Sequence, residues 1–130
     1  MIARRLEDLV IWQLASELRK TIIGLSATAP FSDDVRLRDQ ARRAASSVVA
    51  NIAEGFGRYR PKEFARFLRI ARGSVFEVQE HLIDAHERGY LSADQLERAR
   101  LECRRISIGV LRLTQYLESC KATHIRSRTS

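Results

Sequence analysis

The sequence predicts an all-α protein, an antiparallel up-down-up-down four-helix bundle. Apolar residues recur every three or four positions in four separate stretches of the 130 residues, and no stretch sustains the alternation of a strand. Only two prolines and six glycines occur, and the connections between the stretches are short. Four amphipathic helices joined in this way pack most simply with each helix antiparallel to the next.

The composition fits one domain spanning residues 1–130, with an ordered core at about 6–117 and a basic, frayed tail at 118–130. Hydrophobic residues make up 45% and charged residues 30%, which is too apolar for a disordered chain. No apolar run approaches the roughly 18 residues that cross a membrane. Residues 1–8 turn acidic where a signal peptide would be apolar. We therefore expect a cytoplasmic protein with no membrane partner.

The first helix is predicted over about 9–25 and the second over about 34–56. Pro30 cannot extend the first helix, and Ser32, Asp33 and Asp34 are candidate caps for the second. The apolar face of the first helix comprises Leu14, Leu18, Ile22 and Leu25. The second helix has an apolar face rich in small residues, which lets a neighbour approach closely: Leu37, Ala41, Ala44, Ala45, Val48, Ile52 and Gly55.

The third helix is predicted to begin at Pro61, since proline suits the first helical position, and to end before Gly89. Ser92 and Gln95 fit a capping box that opens the fourth helix. The apolar face of the third helix comprises Phe64, Phe67, Leu68, Ala71, Val75, Val78, Leu82 and Ala85. That of the fourth alternates steps of three and four: Leu96, Ala99, Cys103, Ile106, Val110, Leu113 and Leu117.

Further apolar residues fall outside these faces, namely Val10, Ile11, Leu101, Ile108 and Leu111. A small bundle cannot bury every side of its helices, so this surplus indicates a second packing surface. Self-association is the preferred interpretation. Loose internal packing and misplaced helix faces are the alternatives.

The net charge of +7 is concentrated in one third of the chain. Residues 36–72 contain ten basic side chains and three acidic ones, and nine of the ten are arginines, which suit phosphate groups. One face of the third helix contains Lys62, Arg66, Arg69 and Arg72, at steps of four, three and three. We expect the hairpin of the second and third helices to present a continuous cationic surface to nucleic acid, with Tyr59 available to stack on a base. One alternative is a solvated face paired with nearby glutamates. Another is a protein-interaction or assembly module whose basic residues contact an acidic partner or a neighbouring subunit.

Chemical motifs are nearly absent. The sequence contains no nucleotide-binding loop, no nucleophile motif and no zinc-protease motif. His81 and His86 are five residues apart and diverge around a helix, and Cys103 and Cys120 are too far apart on one helix for a disulfide. We therefore expect no enzyme, no cofactor and no metal site.

One stretch resembles a known family. Residues 40–58, QARRAASSVVANIAEGFGR, continue at 64–77 with FARFLRIARGSVFE. This pattern is similar to that of the bacterial four-helix-bundle proteins encoded in intervening sequences of 23S rRNA genes, and the likeness covers roughly residues 6–117. The resemblance implies an antiparallel bundle, commonly a ring-like homopentamer, and no catalytic residue. A distant relative that works with nucleic acid supports an RNA-binding role by analogy alone.

Most residues of the matching motif are interpreted as structural, with ligand contact as the alternative. The set comprises Arg43, Asn51, Glu54, Gly55, Arg58, Gly73 and Ser74. We expect Glu54 to pair with Arg43, Arg58 or Arg72, and Asn51 to bond Ser47 or Ser74. Close approach of a neighbouring helix would compensate for the helical cost of Gly73. The candidates left for nucleic-acid binding are Arg36, Arg60, Lys62, Arg66 and Arg69.

Overall fold

Four α-helices form the protein in a computed structural model that describes residues 3–58 and 60–120. They are α1 (Val10–Ser26), α2 (Val35–Phe56), α3 (Pro61–Glu87) and α4 (Ala93–Ser119), with short 3-10 turns at Leu6–Asp8 and Phe31–Asp33. The all-α, four-helix prediction is confirmed. Helix α4 continues to Ser119, two residues into the predicted tail, and residues 121–130 lie outside the described residues.

The helix ends form where local sequence signals predict them. The Asp34 carboxylate accepts a hydrogen bond from the backbone N–H of Leu37, so Asp34 is the cap among the three candidates for α2. Ser92 and Gln95 form the predicted capping box, with bonds of 3.0 and 2.9 Å. Gly89 has a φ of 83° after α3, and the N–H of Tyr90 reaches back to the Ala85 carbonyl at 2.8 Å. This pattern is a Schellman motif.

Contacts between the helices define their relative levels. Ser47 on α2 lies opposite Ser74 on α3, and Gly55 lies opposite Phe64, so the two helices run antiparallel. Ile11 of α1 lies against Gly109 of α4, and farther along α1 Thr21 bonds Glu102. These contacts make α1 antiparallel to α4 as well.

The core follows most of the predicted apolar faces, although Leu14 and Leu25 on α1 are only partly buried. The whole small-residue face of α2 is buried, as expected. On α4, however, Leu113 is only partly buried and Thr114 is buried, because a regular helix drifts away from a strict repeat of three and four. Ile11, predicted as surplus, is 5% exposed and packs on Gly109. Phe67 is only half-buried.

One end of the bundle is closed by the two connections, α1–α2 and α3–α4. Phe31 is fully buried and stacks on Tyr90, with ring centroids 5.7 Å apart. The Tyr90 hydroxyl donates to Asp34 at 2.9 Å. The Leu37 backbone bond, followed by this one from Tyr90, lowers the pKa of Asp34 below its ordinary value. Asp34 therefore caps α2 and also links the α1–α2 connection to the α3–α4 connection.

A partly buried carboxylate lies between α1 and α4. Thr21 Oγ1 is 2.9 Å from Glu102 Oε2, but burial, with a smaller contribution from Glu17, raises the pKa of Glu102 above its ordinary 4.5. A carboxyl whose folded-state pKa is raised contributes stability at low pH and loses it as the pH rises through that pKa.

We therefore expect Glu102→Gln, which keeps an acceptor for Thr21 but carries no charge, to melt at a higher temperature than the wild type at pH 7. The difference in melting temperature should disappear below pH 4.5, where the Glu102 carboxyl is protonated in both the folded and the unfolded wild type. Thermal melts followed by circular dichroism across this pH range test it, with the exposed Glu97→Gln as the control. A Glu102→Gln protein that melts lower at pH 7 would contradict the expectation.

Several large apolar side chains remain on the surface. Val10 is 63% exposed and Phe76 51%, and the others that are exposed are Ile23, Val35, Ile70, Leu101, Ile108, Leu111 and Tyr116. Among the described residues, no helix is both long and apolar enough to cross a membrane.

Candidate nucleic-acid interface

Four of the five predicted nucleic-acid-binding residues lie together at the start of α3. Arg60 is the residue that precedes the helix, and Lys62, Arg66 and Arg69 follow at steps of four and three, which places them on one face. All four are exposed. The three helical cations span about 10 Å along the axis, at 1.5 Å per residue.

Arg36 lies elsewhere. It is close to Asp34, whose carboxylate is 3.8 Å from Arg88 beyond the far end of α3. Since Ser47 is level with Ser74, Arg36 and Arg69 are separated by about 24 Å along the bundle. The expectation of one continuous cationic surface is therefore wrong for Arg36, because the antiparallel hairpin carries the two ends of residues 36–72 apart.

The four clustered cations differ in their intramolecular partners. Arg66 forms an ion pair of 3.5 Å with Glu63, and Arg69 forms one with Glu118 on α4. In the described part of the chain, neither Arg60 nor Lys62 forms an ion pair. Exposed ion pairs contribute about 0–1 kcal/mol, so a phosphate group can compete for Arg66 and Arg69.

An aromatic ring orients two guanidinium groups beside this cluster. The ring of Phe67 has Arg58 at 4.9 Å and Arg66 at 4.6 Å from its centroid. These are cation–π distances. The apolar periodicity predicts Phe67 in the core, whereas its ring contacts the two guanidinium groups. In the local sequence, only the adjacent Arg66 indicates such a cation–π contact. Tyr59, proposed to stack on a base, lies outside the described residues.

The motif residues form a hydrogen-bond network between α2 and α3. Asn51 Nδ2 donates to the Ser47 carbonyl at 2.9 Å and to Ser47 Oγ at 3.1 Å. Ser47 Oγ and Ser74 Oγ are 2.8 Å apart. The predicted serine partner of Asn51 is thus confirmed as Ser47, and the network connects the two helices at one level.

Of the three candidate partners for Glu54, the structure selects Arg58, at 2.7 Å one helical turn away. Arg43 is exposed and has no hydrogen bond or ion pair within the described chain. Arg72 is directed elsewhere: its guanidinium lies 5.3 Å over the Phe76 ring. Which arginine pairs with Glu54 depends on the side of the helix that each residue occupies. A count of charges in the sequence does not reveal this.

The two motif glycines have different surroundings. A Cβ at Gly55 would lie 2.9 Å from Phe64 Cδ1 and from Phe67 Cβ, so this glycine permits the close approach of α3. Gly73 is exposed, and no atom of the described residues lies within 4 Å of its Cβ position. The expectation that Gly73 allows close packing inside the bundle is therefore wrong.

The potential chemical groups are mostly engaged in structure. His86 Nδ1 is 2.9 Å from the Leu91 carbonyl oxygen. Cys103 is buried, and burial raises the pKa of its thiol to about 12, which disfavours the nucleophilic thiolate. Among the described residues, no three His, Cys, Asp or Glu side chains are grouped so as to hold a metal ion.

Comparison with known proteins is consistent with the motif at 40–77. A search of curated proteins finds no match to the chain. A family model described as 23S rRNA-intervening sequence protein matches residues 7–125, a range that includes all four helices and the cationic cluster. The chain belongs to the 23S rRNA-intervening sequence protein family.

Proposed function

We propose that this protein is a non-enzymatic, self-associating binding protein of the cytoplasm that holds RNA through Arg60, Lys62, Arg66 and Arg69. The observation that carries the proposal is the exposure of these four cations at one end of α3, in a chain with a net charge of +7. The family description, which names a sequence within an rRNA gene, favours RNA over other polyanions.

The spacing of the cluster suits a nucleic-acid backbone. Steps of four and three residues place successive cations about 6 and 4.5 Å apart along the axis, so neighbouring phosphates can each meet one side chain. Arginine binds phosphate through two parallel hydrogen bonds. Phe67 holds the Arg66 guanidinium from one side, which lowers the entropy lost on binding. Among the described residues, no base-reading element is assigned beside the cluster, so the proposal is backbone recognition without sequence preference.

Self-association is the second part of the proposal. Its support is the set of large apolar side chains exposed on α1, α3 and α4, which a second copy of the chain could cover. A five-membered ring is the family-based prediction for the assembly.

The RNA-binding test is the affinity for a single-stranded RNA across salt concentrations. Each phosphate neutralised on a single strand contributes about 0.7 to the slope of log affinity against log salt, so four contacts predict a slope of about −3. Arg66→Glu with Arg69→Glu should abolish measurable binding at 150 mM salt, near physiological ionic strength. Fluorescence anisotropy with a labelled RNA measures both quantities.

The matched control is Lys20→Glu with Arg98→Glu, which changes net charge equally but on exposed positions of α1 and α4. It should keep most of the affinity and the slope. Circular dichroism verifies that both double variants keep their helices. An equal loss of RNA affinity in the two double variants would mean that only total charge matters. Full RNA affinity in Arg66→Glu/Arg69→Glu would refute the proposed surface.

A further inference from the structure

The face of α3 that presents the cationic cluster continues toward an exposed aromatic ring. One turn after Arg69, Gly73 is exposed, and no atom of the described residues lies within 4 Å of its Cβ position. Phe76 follows on the same face, and its side chain is 51% exposed. Arg69 and Phe76 are seven residues apart, so about 10 Å separates them along the helix axis. The cluster is therefore followed by an open stretch of helix and then by a ring.

Phe76 lines a groove between α3 and α4. The volume of this groove is about 400 Å³, within the range of about 300–1,000 Å³ that is typical of small-ligand sites. Leu101 on α4 is the other apolar residue that lines it. Gln79 and Arg104 also line the groove, and neither side chain has a hydrogen bond or an ion pair in the described part of the chain. The remaining lining residues are Glu97, Arg100 and Ser107.

The ring of Phe76 is only partly covered by its own chain. The Arg72 guanidinium lies 5.3 Å from the ring centroid, which is a cation–π distance. Half of the side chain nevertheless remains exposed, so the ring has open surface on which a nucleobase can stack. Proteins that hold single strands combine a cationic surface with aromatic rings of this kind, and such stacking depends little on base identity.

The charges around the groove favour a strand that crosses from α3 to α4. Beyond the ring, α3 presents the exposed carboxylates of Glu77 and Glu80, which repel phosphate. On α4, Arg104 is exposed and forms no ion pair with the described residues, whereas Arg100 pairs with Glu97 at 3.8 Å. A phosphate next to a base in the groove is therefore attracted toward Arg104.

We propose that this groove binds one base of the RNA strand that the cationic cluster holds, with the base stacked on Phe76 and a neighbouring phosphate on Arg104. The inference rests on the proposed function and extends its RNA surface from α3 onto α4. The Gln79 amide has N–H donors and a carbonyl acceptor, so it can bond the edge of any base once the amide rotates. Stacking with an adaptable hydrogen bond agrees with binding that has no sequence preference.

The test compares a short single-stranded RNA with the same ribose–phosphate strand without its bases. Both strands carry a terminal fluorophore, and anisotropy titrations with the full chain give the two affinities. Phe76→Ala should weaken binding of the base-bearing strand by about 5- to 100-fold, the usual effect of losing one stacked base. It should bind the base-free strand as the wild type does, and its salt slope should not change, because stacking neutralises no phosphate.

Two further variants serve as controls for Phe76→Ala. Phe76→Trp keeps a ring that can stack and should retain the affinity for the base-bearing strand. Ile70→Ala removes an apolar side chain of similar exposure, 43%, from the same helix but outside the groove. It should leave both affinities unchanged. Circular dichroism and sedimentation equilibrium verify that each variant keeps the helicity and the mass of the wild type.

The phosphate contact on α4 has its own test. Arg104→Gln should reduce the magnitude of the slope of log affinity against log salt by about 0.7, because one phosphate fewer is neutralised. The matched control is Arg105→Gln, which removes an equally exposed charge from the neighbouring position outside the groove. It should leave the slope unchanged. An equal reduction in the two variants would contradict the contact between Arg104 and phosphate.

Failure of this inference can be distinguished from failure of the proposed function. Wild-type affinity for both strands in Arg66→Glu/Arg69→Glu would refute the RNA surface itself. If that variant loses binding but Phe76→Ala affects the two strands equally, or affects neither, only the groove inference is overturned. A change of mass in Phe76→Ala would assign the ring to a contact between subunits and would also overturn the inference.

Discussion

Replacing Gly55 with leucine is expected to destabilise the protein by about 3 kcal/mol, at or above the top of the 1–3 kcal/mol typical of overpacked cores. The new Cβ would lie 2.9 Å from two atoms of buried or half-buried phenylalanines and 3.2 Å from the Phe64 carbonyl oxygen. A backbone oxygen cannot rotate away as a side chain can. The gain of about 1 kcal/mol from helix propensity is included in this figure. Urea unfolding followed by circular dichroism measures the loss.

The control for this prediction is Gly24→Leu on α1. Gly24 is exposed, and no described residue has an atom within 4 Å of its Cβ position, so the same substitution should leave stability unchanged or slightly higher. The contrast separates the close approach of α2 and α3 from any general effect of leucine. Equal stability of Gly55→Leu and the wild type would show that α3 can move away at no cost.

Truncating Phe31 to alanine is expected to cost about 3–5 kcal/mol, the usual range for a phenylalanine removed from a core. The side chain is 1% exposed and stacks on Tyr90 from the α1–α2 connection. Its loss leaves a cavity between two connections that cannot collapse without moving the start of α2. The total stability of a domain is about 5–15 kcal/mol, so this variant should be close to unfolding at 37 °C. The midpoint of urea unfolding measures it.

Tyr90→Phe is the comparison for Phe31→Ala. It keeps the stacked ring and removes only the hydrogen bond to Asp34, so its melting temperature should fall much less. Since that bond helps to lower the pKa of Asp34, the Tyr90→Phe protein should also unfold at a slightly higher pH on acidification. A loss in Tyr90→Phe as large as in Phe31→Ala would assign the effect to the hydrogen bond.

The sequence predicted the helices well because their ends are local features. Pro61, Gly89 and the Ser92–Gln95 capping box act within one turn of the helix that they begin or end. The buried face of α2 was also predictable, since its small residues recur at a helical period and no other face competes.

The candidate site was harder to predict because it depends on how neighbouring helices are aligned along the bundle axis. The sequence of α2 does not show that Ser47 lies opposite Ser74, and this level decides that Arg36 is remote from Arg69. The surroundings of the two motif glycines likewise depend on a neighbouring helix: Phe64 lies against Gly55, whereas no residue in the described part of the chain lies against Gly73. The distribution of charge along the sequence predicted a cationic cluster. Only the fold shows that Arg36 lies apart from its other four members.

The burial of Cys103 has a consequence for chemical labelling. An alkylating reagent needs the thiolate and a path to it, and this thiol, with its pKa raised to about 12, offers neither while the bundle is closed. Modification of Cys103 therefore requires α4 to separate from its neighbours. The slow labelling rate at this position would report how often the native bundle opens, without denaturant.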